Sequence, residues 1–491
     1  MEQSMDLKRI VKRKKLKIVG DNSRVIALPH IPSELPRIGN IIRRVLKLKN
    51  EESEKLLQET LHLFANRHKN IEQQLLRHYD KISEYIPQGI NPNKTQKLLV
   101  GAYLTMEYSI ESAALFNPSI VPHPDQTLLP KGSLRFIMSL RATGEGHVSS
   151  IVFRSGIIDE NFSFNFDSVS EYVETPTMVH DPFYDTNLFQ LKLKDLEAWN
   201  TTSITIMNKL PSFFTHAELK LSIQEVYMHP EIKTDHWTIN VINWLADSNY
   251  KVKFDDETAI CERVIFPVSS NESKGIEDAR FVKFTHEDGE ETYYATYTAY
   301  NGHSILPQLI ETIDFQTFNI ITLNGDGVKN KGMALFPRKV NGQYAMLSRQ
   351  DGENNFIMFS DNLHFWHTAT LIQRPKHSWE FVQIGNCGSP LETDKGWLVL
   401  THGVGSMRQY SIGAILLDLK DPKKIIACLD EPLLSATEEE REGYVPNVIY
   451  SCGGMIFNKT LILPYATSDI VSRIAVVNLE DLFERMKFTS K

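Results

Sequence analysis

Two adjacent carboxylates and an arginine stand in the run Lys274-Gly275-Ile276-Glu277-Asp278-Ala279-Arg280. A polar loop, residues 269–273, precedes them, and strand-like runs at 281–284 and 293–298 follow. At such a loop-to-strand junction one acid can enter a cleft while a cation steadies it. That arrangement suits proton donation to a leaving group. A surface ion pair has the same local pattern, so the rest of the chain must decide between the two.

Three further clusters sit at strand ends. Ser139-Leu140-Arg141-Ala142-Thr143-Gly144-Glu145-Gly146-His147 reads as a strand closing into a tight glycine turn, either a plain hairpin or a polar rim. Lys331 precedes the apolar run Met333-Ala334-Leu335-Phe336, and Arg349 ends the next one. Two cations meeting at one rim repel unless an anion sits between them. His402, in Thr401-His402-Gly403, reads as a satisfied core histidine or as one facing a cavity. Asp469 follows the strand-like Leu461-Ile462-Leu463 and can cap a turn or accept hydrogen bonds from sugar hydroxyls. There is no phosphate-binding P-loop, dinucleotide fingerprint, GxSxG or HExxH pattern, so redox-cofactor chemistry and serine hydrolysis lose weight.

The scaffold that must position these groups divides in two. Residues 1–115 begin with a basic stretch centred on Lys12-Arg13-Lys14-Lys15. It reads as a solvated arm or a charged face at a subunit contact, since no aromatics interleave for base stacking. From Glu51 apolar residues recur at three- and four-residue steps (Leu56, Leu57, Leu61, Phe64, Ile71, Leu75, Leu76, Tyr79), which predicts an amphipathic helix. A second helix is expected over 95–115, the pair forming an extension that packs on the remainder or makes a homo-oligomer contact. Residues 116–491 read as all-β, with strands expected at 135–140, 293–298, 344–347, 397–400 and 461–464. Asp159, Asp314 and Asp361 each precede an aromatic by a few residues, and the last two are 47 residues apart. That spacing is within a propeller-blade period, although a sandwich also fits it.

Composition narrows the class further. The 491 residues carry 53 basic and 61 acidic side chains, for a net charge of −8, which gives no overall pull toward nucleic acid. A hydrophobic content of 42% supports a large core and excludes global disorder. Cys261, Cys387, Cys428 and Cys452 form no CxxC pair or metal-ligand spacing and read as buried free thiols of a reducing compartment. No secretory signal or membrane-length apolar run is visible. The expectation is a cytoplasmic protein with no membrane or nucleic-acid partner and no metal or cofactor.

Taken together the clusters resemble glycoside hydrolase family 130, the β-mannoside phosphorylases and related mannosidases. The resemblance runs from Phe116-Asn117-Pro118-Ser119 to the C-terminus. It takes in Arg141, the Gly275–Arg280 loop, Lys331 with Ala334-Leu335-Phe336-Pro337, Arg349, Ser360-Asp361-Asn362-Leu363-His364-Phe365-Trp366, His402-Gly403, Gly413-Ala414-Ile415-Leu416-Leu417-Asp418-Leu419 and Asp469. It implies a mainly β protein, a five-bladed β-propeller over 116–491 with an N-terminal α-helical extension over 1–115. It also implies inverting phosphorolysis of β-mannosides to α-mannose 1-phosphate, with a mannose-containing oligosaccharide and inorganic phosphate as co-substrates. In that reading Asp278 is the proton donor, acting through a sugar hydroxyl, and Lys331, Arg349 and His402 bind phosphate. Asn117, Arg141, Glu277, Arg280 and Asp469 bind substrate, with Glu277 and Arg280 also steadying Asp278. Phosphate is already a nucleophile and needs cations, not a base. The alternatives are an inverting β-mannosidase with Asp278 as acid and Glu145 or another carboxylate as base, and a non-catalytic glycan-binding propeller. Ala279, Ser348 and Thr401 stand where the family commonly has proline, histidine and tyrosine, which marks a divergent branch.

Overall fold

A computed structural model describes residues 10–179, 183–228, 234–303 and 305–489; the start of the basic segment lies outside them. Five antiparallel sheets of four to six strands dominate, beside two two-stranded ones. The first is built on Ala114–Pro122, Leu134–Thr143 and Ser149–Ile158, the second on Gly275–Thr285, Glu291–Tyr300, Ile305–Thr312 and Thr317–Thr322. The third runs Ala334–Leu335, Tyr344–Ser348, Asn355–Ser360, Ala369–Gln373. The fourth centres on Gln383–Asn386, Gly396–Val404 and Tyr410–Leu417, the fifth on Ile449–Tyr450, Thr460–Thr467 and Val471–Asn478. All five strands expected from sequence lie inside these elements.

Each sheet buries both faces, so its neighbours can be read from the apolar clusters. Phe153 and Ile151 of the first sheet pack with Phe281 and Ala295 of the second. Val282 and Phe284 of the second meet Met346 and Met358 of the third. Leu347 and Ile357 of the third meet Trp397 and Val399 of the fourth, and Leu398 and Leu400 of the fourth meet Leu461 and Leu463 of the fifth. Ile462 and Ile474 of the fifth return to Met138 and Leu140 of the first. Within the sheets the turn aspartates act as expected: Asp159 accepts from the Asn161 and Ser163 amides and Asp314 from those of Gln316 and Thr317.

Several local expectations are corrected. The basic segment is not a free arm. Val11–Arg13 pairs antiparallel with Val471–Asn478, opposing Val11 to Val477, and its apolar side chains enter the core. Alternation there outweighs charge, because Lys12 points out while Val11 points in. The amphipathic stretch from Glu51 is two helices, Asn50–Phe64 and Ile71–Asp80, broken where Asn70 takes φ +52°. A further helix, Leu35–Leu46, precedes them. The helix expected over 95–115 ends at Tyr103, and Thr105–Ser109 pairs as a strand with Val25–Pro29. Residues beyond Phe116 are not all-β: helices Thr186–Asp195, Thr201–Met207, His216–Met228 and His236–Asp247 bury their own core around Leu193, Ile206 and Leu245. β-branched and aromatic residues are frequent there and favour strand locally, while tertiary packing around this core makes the segments helical.

Candidate active site

Two bulges build the centre. The Gly275–Thr285 strand pairs Glu277 with Thr298 and Arg280 with Thr296, so Asp278 and Ala279 together oppose one residue. Asp278 takes φ +56° there. A matching bulge between Phe116 and Ser119 puts Asn117 at φ +48°. A bulge re-aims the side chain it carries, and these two turn Asp278 and Asn117 toward each other: Asn117 Nδ2 donates to Asp278 Oδ1 at 2.7 Å. The bulges are pinned from behind, where the Phe281 amide donates to Ser119 Oγ at 3.1 Å and the Cys452 amide to the Pro118 carbonyl at 2.8 Å.

Around the carboxylates stand the cations. Arg141 donates to Glu277 at 2.9 Å and lies 3.4 Å from Asp278, with its guanidinium 5.1 Å over the Phe116 ring. Lys331 pairs with the other Glu277 oxygen. Arg280, buried, donates to the Tyr450 hydroxyl at 2.7 Å. Tyr450 packs edge-on against His402 at 5.0 Å, and Arg349 NH1 reaches His402 Nε2 at 3.2 Å. Side chains from all five sheets thus meet in one linked cluster. Among the described residues, the Nε atoms of Arg141, Arg280 and Arg349 and the Oδ1 of Asn117 are buried without a hydrogen-bond partner.

Charge states follow from the surroundings. Burial pushes the Asp278 carboxyl up, but Arg141, Arg280, the Asn117 hydrogen bond and Lys331 outweigh it and hold it below the ordinary carboxylate range. Burial, reinforced by Arg349 and Arg280, pushes His402 well down. The geometry agrees. The Asn386 carbonyl, 3.1 Å from Nδ1, can only accept, and a guanidinium can only donate. Nδ1 therefore carries the proton, Nε2 accepts from Arg349, and the ring is neutral. Burial and the nearby Asp278 charge raise Asp469 to about 6, against the opposing pull of Arg141 and Arg408.

Asn117, Arg141, Glu277, Asp278, Arg280, Lys331, Arg349 and His402 are thus brought together, and Asp469 lies within their electrostatic reach. Glu145 is exposed at the tip of the 143–149 hairpin. Among the described residues no hydrogen bond or ion pair joins its carboxylate to the cluster; only its backbone carbonyl is engaged, by the Tyr108 hydroxyl. Sequence reasoning missed Tyr450 and Asn386. The glycine-dense run Gly385-Asn386-Cys387-Gly388 was a signal for Asn386. A Cβ at Gly385 would collide with the His402 ring and lie 3.2 Å from Arg349 Cδ. Tyr450 carries no comparable local mark. A cavity of about 180 Å³ between Gln373, Trp379 and Cys428 lies outside the cluster and lacks its converging carboxylates. Among the described residues, no group of three or more His, Cys, Asp or Glu is placed to hold a metal ion, and no helix is long and apolar enough to cross a membrane.

Comparison with known proteins identifies a family over the second half of the chain. The profile of glycoside hydrolase family 130, described as beta-1,4-mannooligosaccharide phosphorylase, matches residues 230–488. A 1,2-beta-oligomannan phosphorylase of Thermoanaerobacter sp. (strain X514) is 35% identical over 228 residues, covering 44% of this chain and 74% of the relative. A beta-1,2-mannobiose phosphorylase of the same organism is 34% identical over 222 residues, 43% of this chain and 68% of the relative. Among solved structures, the beta-1,2-mannobiose phosphorylase of Listeria innocua aligns at a TM-score of 0.46 with 18% identity, over 76% of this chain and 92% of that one.

Proposed function

The chain belongs to glycoside hydrolase family 130 and is an enzyme of the glycoside phosphorylase type, and from that premise we propose that it cleaves β-mannosides by inverting phosphorolysis with Asp278 as the acid. The two 1,2-linked relatives favour a β-1,2-mannoside as substrate. The observation that carries the reading is the placement of Asp278 among Arg141, Arg280 and Lys331, with Arg349 and the neutral His402 linked through Tyr450. We further propose that the five sheets are blades of a propeller whose inner strands surround this centre. Sheet-to-sheet packing that returns from the fifth to the first supports it. Four free cysteines, three of them buried, suit a reducing compartment.

Phosphate, held by Lys331 and Arg349, attacks the anomeric carbon from the face opposite the glycosidic oxygen. The C–O bond breaks with inversion, and the leaving oxygen takes a proton that Asp278 supplies through a sugar hydroxyl. The products are α-mannose 1-phosphate and the shortened sugar. An ionised Asp278 is no acid, so the proton must be acquired on loading. A phosphate dianion offsets the cations that hold the carboxyl down, and its own charge then raises Asp278. Acid competence is thereby tied to the presence of the nucleophile. His402 acts by fixing the Arg349 guanidinium, not by adding charge.

The test is turnover of a panel of β-mannobioses with and without inorganic phosphate, with mannose and mannose 1-phosphate measured separately. Phosphate-dependent mannose 1-phosphate is expected. Free mannose released equally without phosphate would overturn phosphorolysis in favour of hydrolysis. No product from any β-mannoside would leave a glycan-binding protein.

A further inference from the structure

Two loops distant in sequence meet at a pair of rings. The Tyr444 hydroxyl and His147 Nδ1 are 3.1 Å apart, across 297 residues of chain. Their rings lie 5.5 Å apart, tilted by 30°. Neither ring serves a core: Tyr444 is 53% exposed and His147 is exposed as well. The contact also has a backbone cost. Gly146 and His147 stand at φ +65° and +60°, and a non-glycine residue there is strained. A strained, exposed pairing contributes little to folding, so its use is to be sought in what it faces.

Both halves are anchored to the catalytic turns. At the base of the His147 hairpin, Ser149 Oγ donates at 3.0 Å to the carbonyl of Ile276, two residues before Asp278. Arg141 lies on the other strand of that hairpin, paired with Ile151. On the second loop, the amide of Val445 donates at 3.0 Å to the carbonyl of Ser468, the neighbour of Asp469. Asp469 is within electrostatic reach of Asp278, Arg141 and Arg408. The paired rings are thus carried by loops tied to the turns that hold Asp278 and Asp469.

We propose that His147 and Tyr444 form an aromatic clasp that grips the leaving-group sugar and sets which β-mannoside is accepted; this rests on the reading of the site as a mannoside-cleaving centre. The rings offer flat apolar faces to the C–H side of a pyranose, and the free imidazole nitrogen and the phenol offer polar edges to its hydroxyls. In this proposal a monosaccharide held at Arg141 and Asp469 stops short of the rings and a disaccharide reaches them.

Calorimetric titration of β-1,2-mannobiose and of mannose, in the absence of phosphate, separates the two. In H147A and Y444A the mannobiose Kd should rise about fivefold to tenfold, while the mannose Kd moves less than about twofold. Y444F, which keeps the ring and loses the hydroxyl, should fall between Y444A and the wild type. Unchanged mannobiose affinity, or equal weakening of both sugars, would overturn the clasp, as would a wild type that binds neither. Product analysis of the wild type with phosphate stands apart: release of mannose alone would remove phosphorolysis while leaving the binding difference to decide the clasp.

Discussion

Asp278 and Asp469 are two carboxyls of one site pushed in opposite directions, and this makes them separable by experiment. Asp278 sits below its unfolded value of 3.8. Its native contacts therefore stabilise the protein above that value, and the contribution is lost as pH falls through the native one. D278N should lose activity by at least about a hundredfold. It should also be less stable than wild type at pH 7, the gap closing in acid, as followed by urea unfolding across pH. Asp469 lies at about 6 against 3.8 unfolded. Between those values the native state holds more protons, so stability falls as pH rises through the window. D469N removes the charged form and should be more stable than wild type by roughly 1–3 kcal/mol at pH 7.5. At pH 3.5 it should show no gain, and its KM for mannoside should be raised. The adjacent pair Glu277-Asp278 was legible in the chain; the difference between the two aspartates was not, because it depends on burial and on Arg141, Lys331 and Arg408, which are distant in sequence from the carboxyls they act on.

At the scale of elements, the placement of His402 and of Arg349, proposed to hold phosphate, depends on a close approach between Gln383–Asn386 and Gly396–Val404, where Gly385 opposes His402. G385A would force the His402 ring aside and crowd Arg349. The expected result is a loss of about 1–3 kcal/mol in stability and a raised KM for phosphate with the KM for mannoside little changed, measured by steady-state kinetics with each substrate varied. Equal changes in both constants would count against a local effect on the cations. Strand identity here is readable from short runs rich in Val, Ile, Tyr, Phe and Thr bounded by Gly, Asn and Asp turns. The bulges at Asn117 and Asp278 were not, since a bulge is a mismatch between two strands and one strand cannot show it. The helices between 186 and 247 are not legible for a related reason. Their apolar residues fit either period over short windows, and Trp244, which donates to Asn271 at 2.8 Å just before the acid loop, has a partner known only from the fold.

For the whole molecule, the consequential contact is between the two ends of the chain. Val11 lies opposite Val477 and is 7% exposed, within the cluster that joins the fourth and fifth sheets. Placing a charge there should destabilise the entire β structure: V11D is expected to lower stability by about 3 kcal/mol or more. Loss should occur in a single transition seen alike by circular dichroism and by activity. Two separated transitions would show that the N-terminal strand is dispensable to the sheets. The exposed Leu63 and Phe64, 64% and 40% accessible on the N-terminal helices, are where a homo-oligomer contact would be tested by light scattering of a double serine variant.

The sequence alone determined what is local: the acid pair and its arginine, the cations at strand ends, the β-rich runs between turns that make strands, and through them the family. Those features are written in neighbouring residues and survive without a partner. Only the tertiary structure decided that Asp278 rests ionised and His402 neutral, that Tyr450 links Arg280 to His402, and that the N-terminal strand joins the last sheet. It also placed Glu145 at an exposed tip and joined His147 to Tyr444. Each of these is a relation between residues far apart in the chain, set by burial and by charges that no single segment contains.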